Sequence, residues 1–314
     1  MPMTMCKCLY CYKPLADGEK DFHPACARKF FGEPQAPVLD YTTEQLDELA
    51  AKAIQDQTSL TGVQPKLSLH LQKHQGCSRL TIVGLWGGYI CKPQTSQYPQ
   101  MPEVEDLTMH LAEAAKIEVV PHTLMRMADD SLCYLTRRID RVGEEKIAME
   151  DMCQLTERMT ENKYMSSCER VGKTIASFST TPKMDVVNFF ELVLFCWLTG
   201  NNDMHLKNFS LYEPHDSEIR QTPAYDLLNA AIINPKDDEE LALTLNGRKK
   251  HINRNDFIKA AGTLGIDSNV VERLFAKYQR LKPKFETIID VSFLGQELKD
   301  SYKTLLDNRL KRLK

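Results

Sequence analysis

The sequence predicts an α+β protein with a β-rich first half and a mainly helical second half. Alternating apolar and polar residues, as in KLSLHLQ at 66–72, predict short strands before residue 150. After that point apolar residues recur at helical spacing, and VVNFFELVLFCWLT at 186–199 is among the most apolar runs. Cysteines near the amino terminus predict a small metal-stabilised unit. The expected domains are residues 1–33, 34–149 and 150–314.

The composition is that of an ordinary globular protein. The chain has 314 residues, of which 42% are hydrophobic and 26% charged. A formal net charge of -3 and a pI near 6.3 argue against a surface that coats nucleic acid. The sequence contains no run of about 18 apolar residues, and its amino terminus lacks the apolar core of a signal peptide. We therefore expect a cytoplasmic protein without membrane contact.

Four residues near the amino terminus have the spacing of zinc ligands. Cys8 and Cys11 form a C-x2-C pair, and His23 with Cys26 forms H-x2-C. Four such ligands fill the tetrahedral coordination of Zn²⁺, which predicts a closed structural site. Cys6 is an alternative ligand, and free thiols or a nucleic-acid-binding finger remain alternatives for the whole segment. The other six cysteines are expected to be reduced packing residues: Cys77, Cys91, Cys133, Cys153, Cys168 and Cys196.

The remaining elements follow in order along the chain. Residues 42–57 have helical spacing, and Thr42 with Gln45 fits a capping box. We expect strands at 66–72, 79–83, 87–93, 119–127, 131–140 and 209–212. We expect further helices at 103–117, at 186–199 and in the amphipathic tail at 297–314.

The polar stretch GNNDMHLKN, residues 200–208, follows the apolar run directly. Asp203 and Asn208 stand in D-x-x-x-x-N, the spacing at which a kinase catalytic loop presents a base and a magnesium ligand. The Asn amide oxygen suits Mg²⁺, which prefers oxygen ligands. Lys207 could neutralise charge on a transferred phosphoryl group, and we expect His205 to fix the loop backbone. An ordinary polar loop is the alternative.

Two further segments supply charged groups that phosphoryl transfer requires. Asp226, after the expected strand at 209–212, could be a second Mg²⁺ ligand, or only an Asx-turn residue. Lys92 ends an apolar strand and could bind ATP phosphates, or only extend to solvent. Glu105 in the next helix could pair with Lys92, and Glu103 competes with it for this role.

A turn before the strand at 66–72 could cradle phosphates. Gly62, Val63 and Gln64 supply backbone N–H groups, and Lys66 supplies a charge. The segment matches no standard phosphate-binding fingerprint, and a plain hairpin turn is the alternative. The phosphate turn, strand lysine, helix glutamate, catalytic pair and metal aspartate nevertheless occur in the order that a two-lobed kinase requires. We therefore predict a kinase-like protein that uses ATP and Mg²⁺.

Several segments together resemble the HipA-type serine/threonine kinases, the toxins of bacterial toxin–antitoxin modules. They are SLTGVQPKLSL, YICKP, YLTRRIDR, EDMCQL, GNNDMHLKNFSL and TPAYDLLNA, within about residues 55–290. The resemblance implies a protein-kinase-like fold with a β-rich N-lobe and an all-helical C-lobe. It also implies that Asp203 is the base, that Asn208 and Asp226 bind Mg²⁺, and that Lys92 binds ATP. Glu150 and Gln154 would lie near the hinge.

The resemblance also implies regulation and partners. Ser59 matches the serine that HipA kinases autophosphorylate, and a phosphate there would repel nucleotide. Only about 55 residues precede the phosphate turn, so the chain looks like the truncated kinases of HipBST-like systems. We expect a separate small protein in place of the N-terminal subdomain, a HipB-like antitoxin, and DNA contact only through that antitoxin. The expected protein target is an aminoacyl-tRNA synthetase.

Two other functions fit parts of the sequence. D-x-H-x-x-N at 203–208 resembles the catalytic loop of phosphoinositide kinases, which suggests a lipid or small-molecule kinase. A catalytically inactive, zinc-containing adaptor is the non-enzymatic alternative. The presence of Lys92, Asp203, Asn208 and Asp226 argues against the adaptor.

Overall fold

A computed structural model describes residues 6–46, 48–49, 66–73, 77–83, 87–142, 145–215 and 217–314. The chain divides into two compact units. The first unit comprises Met1–Asp106, Val120–Glu144 and Val291–Phe293, and the second comprises Leu107–Val119, Glu145–Asp290 and Leu294–Lys314. The domain boundaries expected after residues 33 and 149 stay predictions. Among the described residues, no helix has both the length and the apolar character needed to cross a membrane.

The first unit is built on an antiparallel sheet of five strands. In spatial order the strands run β2-β1-β3-β5-β4. Their bounds are β1 Leu67–Gln72, β2 Arg79–Ile82, β3 Tyr89–Lys92, β4 His122–Arg126 and β5 Leu132–Arg137. These five strands were all predicted from the alternating pattern, which is confirmed. The same unit also contains a short strand, β6, at Arg141–Val142.

Helical segments accompany this sheet in the described part of the first unit. Helix α1 is Pro24–Phe31, and helix α2 is Met101–Ala114, whose residues up to Asp106 belong to the first unit. Residues 43–46 are helical, and the predicted capping box is present, because Thr42 N–H donates to Gln45 Oε1 at 2.9 Å and Gln45 N–H to Thr42 Oγ1 at 3.3 Å.

The amino-terminal segment shares its core with the sheet. Phe30 and Phe31 of α1 are buried, and their rings lie 5.9 and 6.3 Å from the ring of Tyr89 on β3. Leu9 and Phe22 belong to the same apolar cluster as sheet residues. Burial of these large apolar groups contributes several kcal/mol, about 1.5–3 for each side chain. The segment is therefore anchored by packing as well as by any metal.

The second unit is mainly helical. Its helices are α3 Met152–Leu155, α4 Cys168–Phe178, α5 Pro182–Thr199, α6 Ala230–Ile233, α7 Arg254–Thr263, α8 Ser268–Val291 and α9 Gln296–Lys311, of which Val291 is grouped with the first unit. Its strands are β7 Glu145–Lys146, β8 Met149–Asp151, β9 Ser210–His215 and β10 Glu218–Gln221. Strands β8, β9 and β10 form a three-stranded antiparallel sheet with β9 in the centre. The tail helix α9 was predicted, and it buries Tyr302 and Leu306.

Helix α5 contains the apolar run and is buried over most of its length. Pro182 begins it at a position where a missing N–H costs nothing. Trp197 and Phe195 have no exposed surface, and the Trp197 ring lies 5.2 Å from that of Phe257 on α7. The helix ends at Gly200, which has φ of 75° and donates its N–H to the last turn. This end fixes where the polar loop at 200–208 begins.

Gly200 is a position where we expect an added methyl group to destabilise the fold. A Cβ there would lie 2.5 Å from Asn229 Oδ1, and the positive φ would be strained for any other residue. Gly200→Ala should lower the free energy of unfolding by about 1–3 kcal/mol. Chemical denaturation would measure this change.

Gly262 is the matched control. It lies within α7 and is exposed, and a Cβ added at this position would have no neighbouring atom within 4 Å. Gly262→Ala should instead raise stability by about 0.5–1 kcal/mol, because alanine loses less backbone entropy in a helix. Equal effects of the two substitutions would contradict the role given to Gly200.

Candidate active site and candidate metal site

The loop after α5 is held by asparagine side chains. Asn201 Oδ1 accepts the Asp203 N–H at 3.3 Å, and Asn201 Nδ2 donates to the Asp226 carbonyl at 3.3 Å. Asn202 Nδ2 donates to the carbonyl of Glu239 at 3.0 Å. Asn201 and Asn202 are both buried, so these bonds form away from competing water. The side chain of Asn201 thereby joins the segments that carry Asp203 and Asp226.

The side-chain amide of Asn208 is hydrogen-bonded to the backbone of Asp203. Asn208 Nδ2 donates to the Asp203 carbonyl at 3.1 Å. Because the amide nitrogen is used in this way, the amide oxygen of Asn208 is the atom that could ligate a metal. Asn208 is buried, whereas Asp203 is exposed. An exposed carboxylate beside an oriented amide oxygen is the arrangement that the loop motif predicted.

Asp226 adopts a left-handed backbone conformation, with φ of 56°. Such values are uncommon outside glycine and occur often at functional sites. The neighbouring Tyr225 hydroxyl lies 2.6 Å from Ser210 Oγ and donates to the Lys207 carbonyl at 3.2 Å. Tyr225 therefore connects the segment of Asp226 to the loop and to the start of β9.

A tyrosine that the sequence did not single out contacts the expected base. Tyr164 donates its hydroxyl to Asp203 Oδ1 at 2.6 Å. Burial first, and then the hydrogen bond to Asp203, raise the pKa of Tyr164. Its ring meets that of His205 edge-on at 5.1 Å, and Leu206 N–H donates to the Lys163 carbonyl at 3.0 Å. Segment 163–164 therefore lies against the loop at 200–208.

His205 and Lys207 differ in exposure. His205 is buried, its N–H donates to the Asp203 carbonyl at 2.9 Å, and its carbonyl accepts the Asn208 N–H at 2.9 Å. These bonds are made by the backbone, and the role expected of the His205 side chain stays a prediction. Lys207 is exposed.

No sequence pattern predicted the role of Tyr164, because a tyrosine about 40 residues before the loop has no motif of its own.

In the first unit, Lys92 and Glu105 form a buried ion pair. Lys92 Nζ lies 2.5 Å from Glu105 Oε1, and the two residues are 4% and 1% exposed. The pairing predicted for these residues is thus present. The partner of Lys92 in this ion pair is thus Glu105 and not Glu103. Burial is the main cause that raises the pKa of Glu103 to about 7, with a smaller contribution from Asp106. A buried ion pair is costly to maintain, so the position of Lys92 is tightly defined.

Asp106, the residue after Glu105, is part of a second buried network. It accepts the Tyr12 hydroxyl on Oδ2 at 2.6 Å, and its Oδ1 lies 2.7 Å from His122 Nδ1. Asp106 has no exposed surface. No sequence pattern predicted this contact, because it joins residues that are 94 positions apart in the chain.

The structure says less about the other residues predicted to bind nucleotide or to be phosphorylated. Ser59, Gly62, Val63 and Gln64 lie outside the described residues. Lys66 is exposed just before β1. Glu150 is exposed on β8, and Gln154 is exposed and completes a capping box with Asp151, whose N–H donates to Gln154 Oε1 at 2.9 Å.

The four predicted zinc ligands converge. The ligand atoms of Cys8, Cys11, His23 and Cys26 all lie within 4.8 Å of one another. Burial is the main cause that raises the pKa of Cys26 to about 12. Burial also opposes ionisation of Cys8, but backbone hydrogen bonds, led by that of His23, lower its pKa. Three cysteines and one histidine form a donor set suited to Zn²⁺.

The organisation of strands and helices is that of a kinase-like fold. A family model described as the HipA-like C-terminal domain matches residues 58–285. The chain therefore belongs to the HipA-like C-terminal domain family.

Relatives and solved structures agree with this assignment. A Haemophilus influenzae protein named "Putative kinase" is 25% identical over 94% of this chain and 93% of its own length. "Putative kinase Y4dM" of Sinorhizobium fredii is 31% identical over 61% of this chain, which corresponds to 49% of that protein. HipA of Shewanella oneidensis, solved with HipB and operator DNA, superposes with a TM-score of 0.69 at 20% identity, covering 95% of this chain and 79% of that one.

A second structural neighbour is the Helicobacter pylori proinflammatory kinase CtkA. Its TM-score is 0.51 at 16% identity, and the match covers 71% of this chain and 86% of that chain. These two structural likenesses support the kinase-like fold.

Proposed function

We propose that the protein is an ATP-dependent serine/threonine protein kinase of HipA type. The observation that carries this proposal is the contact at Asp203, whose exposed carboxylate accepts a hydroxyl hydrogen bond at 2.6 Å beside the oriented amide of Asn208. A hydroxyl in that place is what a kinase base receives from its substrate. Membership of the HipA-like family supports the same reaction.

The proposed reaction assigns a role to each predicted residue. Asp203 accepts the proton of the substrate hydroxyl as that oxygen attacks the γ-phosphorus of ATP, and ADP leaves. Asn208 and Asp226 would hold Mg²⁺, which neutralises charge on the phosphates. His205 keeps the loop in shape, and Lys207 offsets charge on the transferred group.

The remaining roles belong to the first unit. Lys92 would bind the α- and β-phosphates. Glu105 would keep the ammonium group of Lys92 in position. Gly62, Val63, Gln64 and Lys66 would form the phosphate-binding turn. Glu150 and Gln154, which belong to the second unit, would lie near the hinge. We also propose autophosphorylation of Ser59, since added negative charge beside that turn would repel ATP.

The proposed partners follow from the relatives. A HipB-like antitoxin is proposed because the Shewanella HipA was solved with HipB and its operator DNA. DNA would be contacted only through that antitoxin, and a separate small protein resembling the HipA N-terminal subdomain is proposed beside it. An aminoacyl-tRNA synthetase is the proposed target, and a cytoplasmic location stays a prediction. The proposed cofactors are ATP, Mg²⁺ and, outside the reaction itself, Zn²⁺.

Asp203→Asn should strongly reduce the rate of phosphoryl transfer. The amide cannot accept the substrate proton, and loss of a general base reduces the rate by about 10²–10⁴-fold. Labelled ATP with Mg²⁺, followed by detection of phosphate on the chain or on a protein substrate, would measure this. ATP binding should persist, because Asp203 is not among the proposed phosphate or metal ligands.

Asp300→Asn is the control, because Asp300 is an exposed residue of α9 and the change is identical. It should leave transfer unchanged. Equal activity of wild type and Asp203→Asn would contradict the proposed base. An inactive wild type would favour the adaptor.

Tyr164→Phe should increase the rate of phosphoryl transfer several-fold. The Tyr164 hydroxyl occupies the place on Asp203 that a substrate hydroxyl needs, and a hydrogen bond of this kind is worth about a factor of 3–10. Phenylalanine keeps the ring contact with His205. Initial rates with a protein substrate would show the change.

Tyr98→Phe is the control, since it removes a surface hydroxyl that accepts a hydrogen bond from Gln97 and does not contact Asp203. A loss of activity in Tyr164→Phe would contradict the prediction and would mean that Tyr164 positions Asp203.

A further inference from the structure

We infer that Cys8, Cys11, His23 and Cys26 bind one structural Zn²⁺ ion, and that this ion holds helix α2 in position through the hydrogen bond from Tyr12 to Asp106. The expected effect on nucleotide affinity rests on the proposed role of Lys92. Zinc binding and the position of α2 do not depend on that role.

Two distances within the four-ligand cluster are those of a zinc tetrahedron. His23 Nδ1 lies 3.5 Å from Cys11 Sγ and 3.7 Å from Cys26 Sγ. A zinc tetrahedron with Zn–S bonds of about 2.3 Å and a Zn–N bond of about 2.05 Å has sulfur–nitrogen edges of about 3.5 Å. The protein would fill all four positions, so the ion would be structural and would not activate water.

The backbone around the cluster is arranged for metal binding. His23 Nε2 lies 3.0 Å from the Pro14 carbonyl, which places the proton on Nε2 and directs the Nδ1 lone pair at the cysteines. Tyr12 N–H donates to the Cys8 carbonyl and Cys8 N–H to the Lys13 carbonyl, both at 2.9 Å. These bonds close a tight turn that carries Cys8 and Cys11.

Tyr12, the residue after the second cysteine of this turn, is unusual in two respects. Its φ is 62°, a left-handed value that costs a bulky residue free energy. Its side chain is buried, and its hydroxyl donates to Asp106 Oδ2 at 2.6 Å. The strained turn is thus what aims the hydroxyl at α2, and a bound metal would stabilise that turn.

The contact reaches the residue beside the Lys92–Glu105 pair. Asp106 is fully buried, and its two carboxylate oxygens contact Tyr12 and His122 respectively. Removing one donor from a buried carboxylate leaves charge poorly compensated, so α2 would shift or loosen to recover partners. Glu105 is the adjacent residue of the same helix, so such a change would also move the carboxylate that holds Lys92.

A second contact ties the metal-binding segment to the sheet. Arg126 Nε on β4 donates to Asp21 Oδ1 at 2.9 Å, and Leu9 N–H donates to the Asp21 carbonyl at 2.8 Å. Together with the packing of Phe30 and Phe31, this contact should keep the first unit folded when the Tyr12 hydroxyl alone is removed. The hydroxyl can therefore be tested separately from folding.

Metal content tests the first part. The full chain, purified without added chelator, should contain one zinc per chain by mass spectrometry of the metal. Cys26→Ser should lose most of it, whereas Cys77→Ser, at an exposed cysteine outside the cluster, should retain it. A wild-type chain that takes up no zinc when Zn²⁺ is supplied, or a Cys26→Ser chain with full zinc content, would overturn the inference.

Hydrogen exchange tests the second part. Tyr12→Phe should keep one zinc per chain, yet amides of residues 101–114 should exchange about tenfold faster, the effect expected for loss of one hydrogen bond to a charged group. The affinity for a fluorescent ATP analogue should fall with it. Tyr10→Phe, the same change two residues earlier, should leave exchange and affinity unchanged.

The outcomes separate this coupling from the proposed kinase function. Faster exchange in Tyr12→Phe without any nucleotide binding in wild type would support the link from the metal-binding turn to α2 and contradict the kinase proposal. Identical exchange in Tyr12→Phe and Tyr10→Phe would overturn the link, whatever the activity of the chain.

Discussion

The burial of helix α5 is the constraint on which the candidate active site depends. Its apolar side chains fix the helix in the second unit, and Gly200 ends it abruptly. Only a residue without a Cβ fits there, because Asn229 leaves no room. The loop that follows therefore starts from a defined point, and buried amides of Asn201 and Asn202 complete its backbone bonding.

Charge burial has the corresponding role in the first unit. A lysine and a glutamate with almost no exposed surface gain little stability from each other once the cost of removing both from water is counted. Their value is positional: the pair is tolerated only in a narrow geometry. Asp106 adds a second buried carboxylate on the same helix and has its own partners in Tyr12 and His122. Helix α2 is thus held by polar contacts whose loss is expensive.

The sequence predicted local structure and short-range motifs well. The strand around Leu69 alternates in exposure, and a period of two is visible without tertiary information. The convergence of Cys8, Cys11, His23 and Cys26 was also predicted from their spacing, and the pairing of Lys92 with Glu105 was predicted from their order along the chain. The choice between Glu103 and Glu105 depended on which face of α2 meets β3.

Long-range polar contacts could not be predicted in the same way. Tyr164 contacts Asp203 across 39 residues and Tyr12 contacts Asp106 across 94, and neither tyrosine has a motif that identifies its partner. Asn201 lay within the quoted loop, but its part in joining Asp203 to Asp226 depends on how α5 ends. Such contacts depend on how distant segments pack together, and the patterns in a single sequence do not report that packing.

A crystal structure of the chain with a non-hydrolysable ATP analogue and Mg²⁺ tests the account most directly. We expect Mg²⁺ within about 2.1 Å of Asn208 Oδ1 and of a carboxylate oxygen of Asp226, the distance typical of this ion. Asp203 should keep its carboxylate exposed toward the γ-phosphate without binding the metal. Bound nucleotide whose metal is held by other residues, with Asn208 and Asp226 turned away, would contradict it.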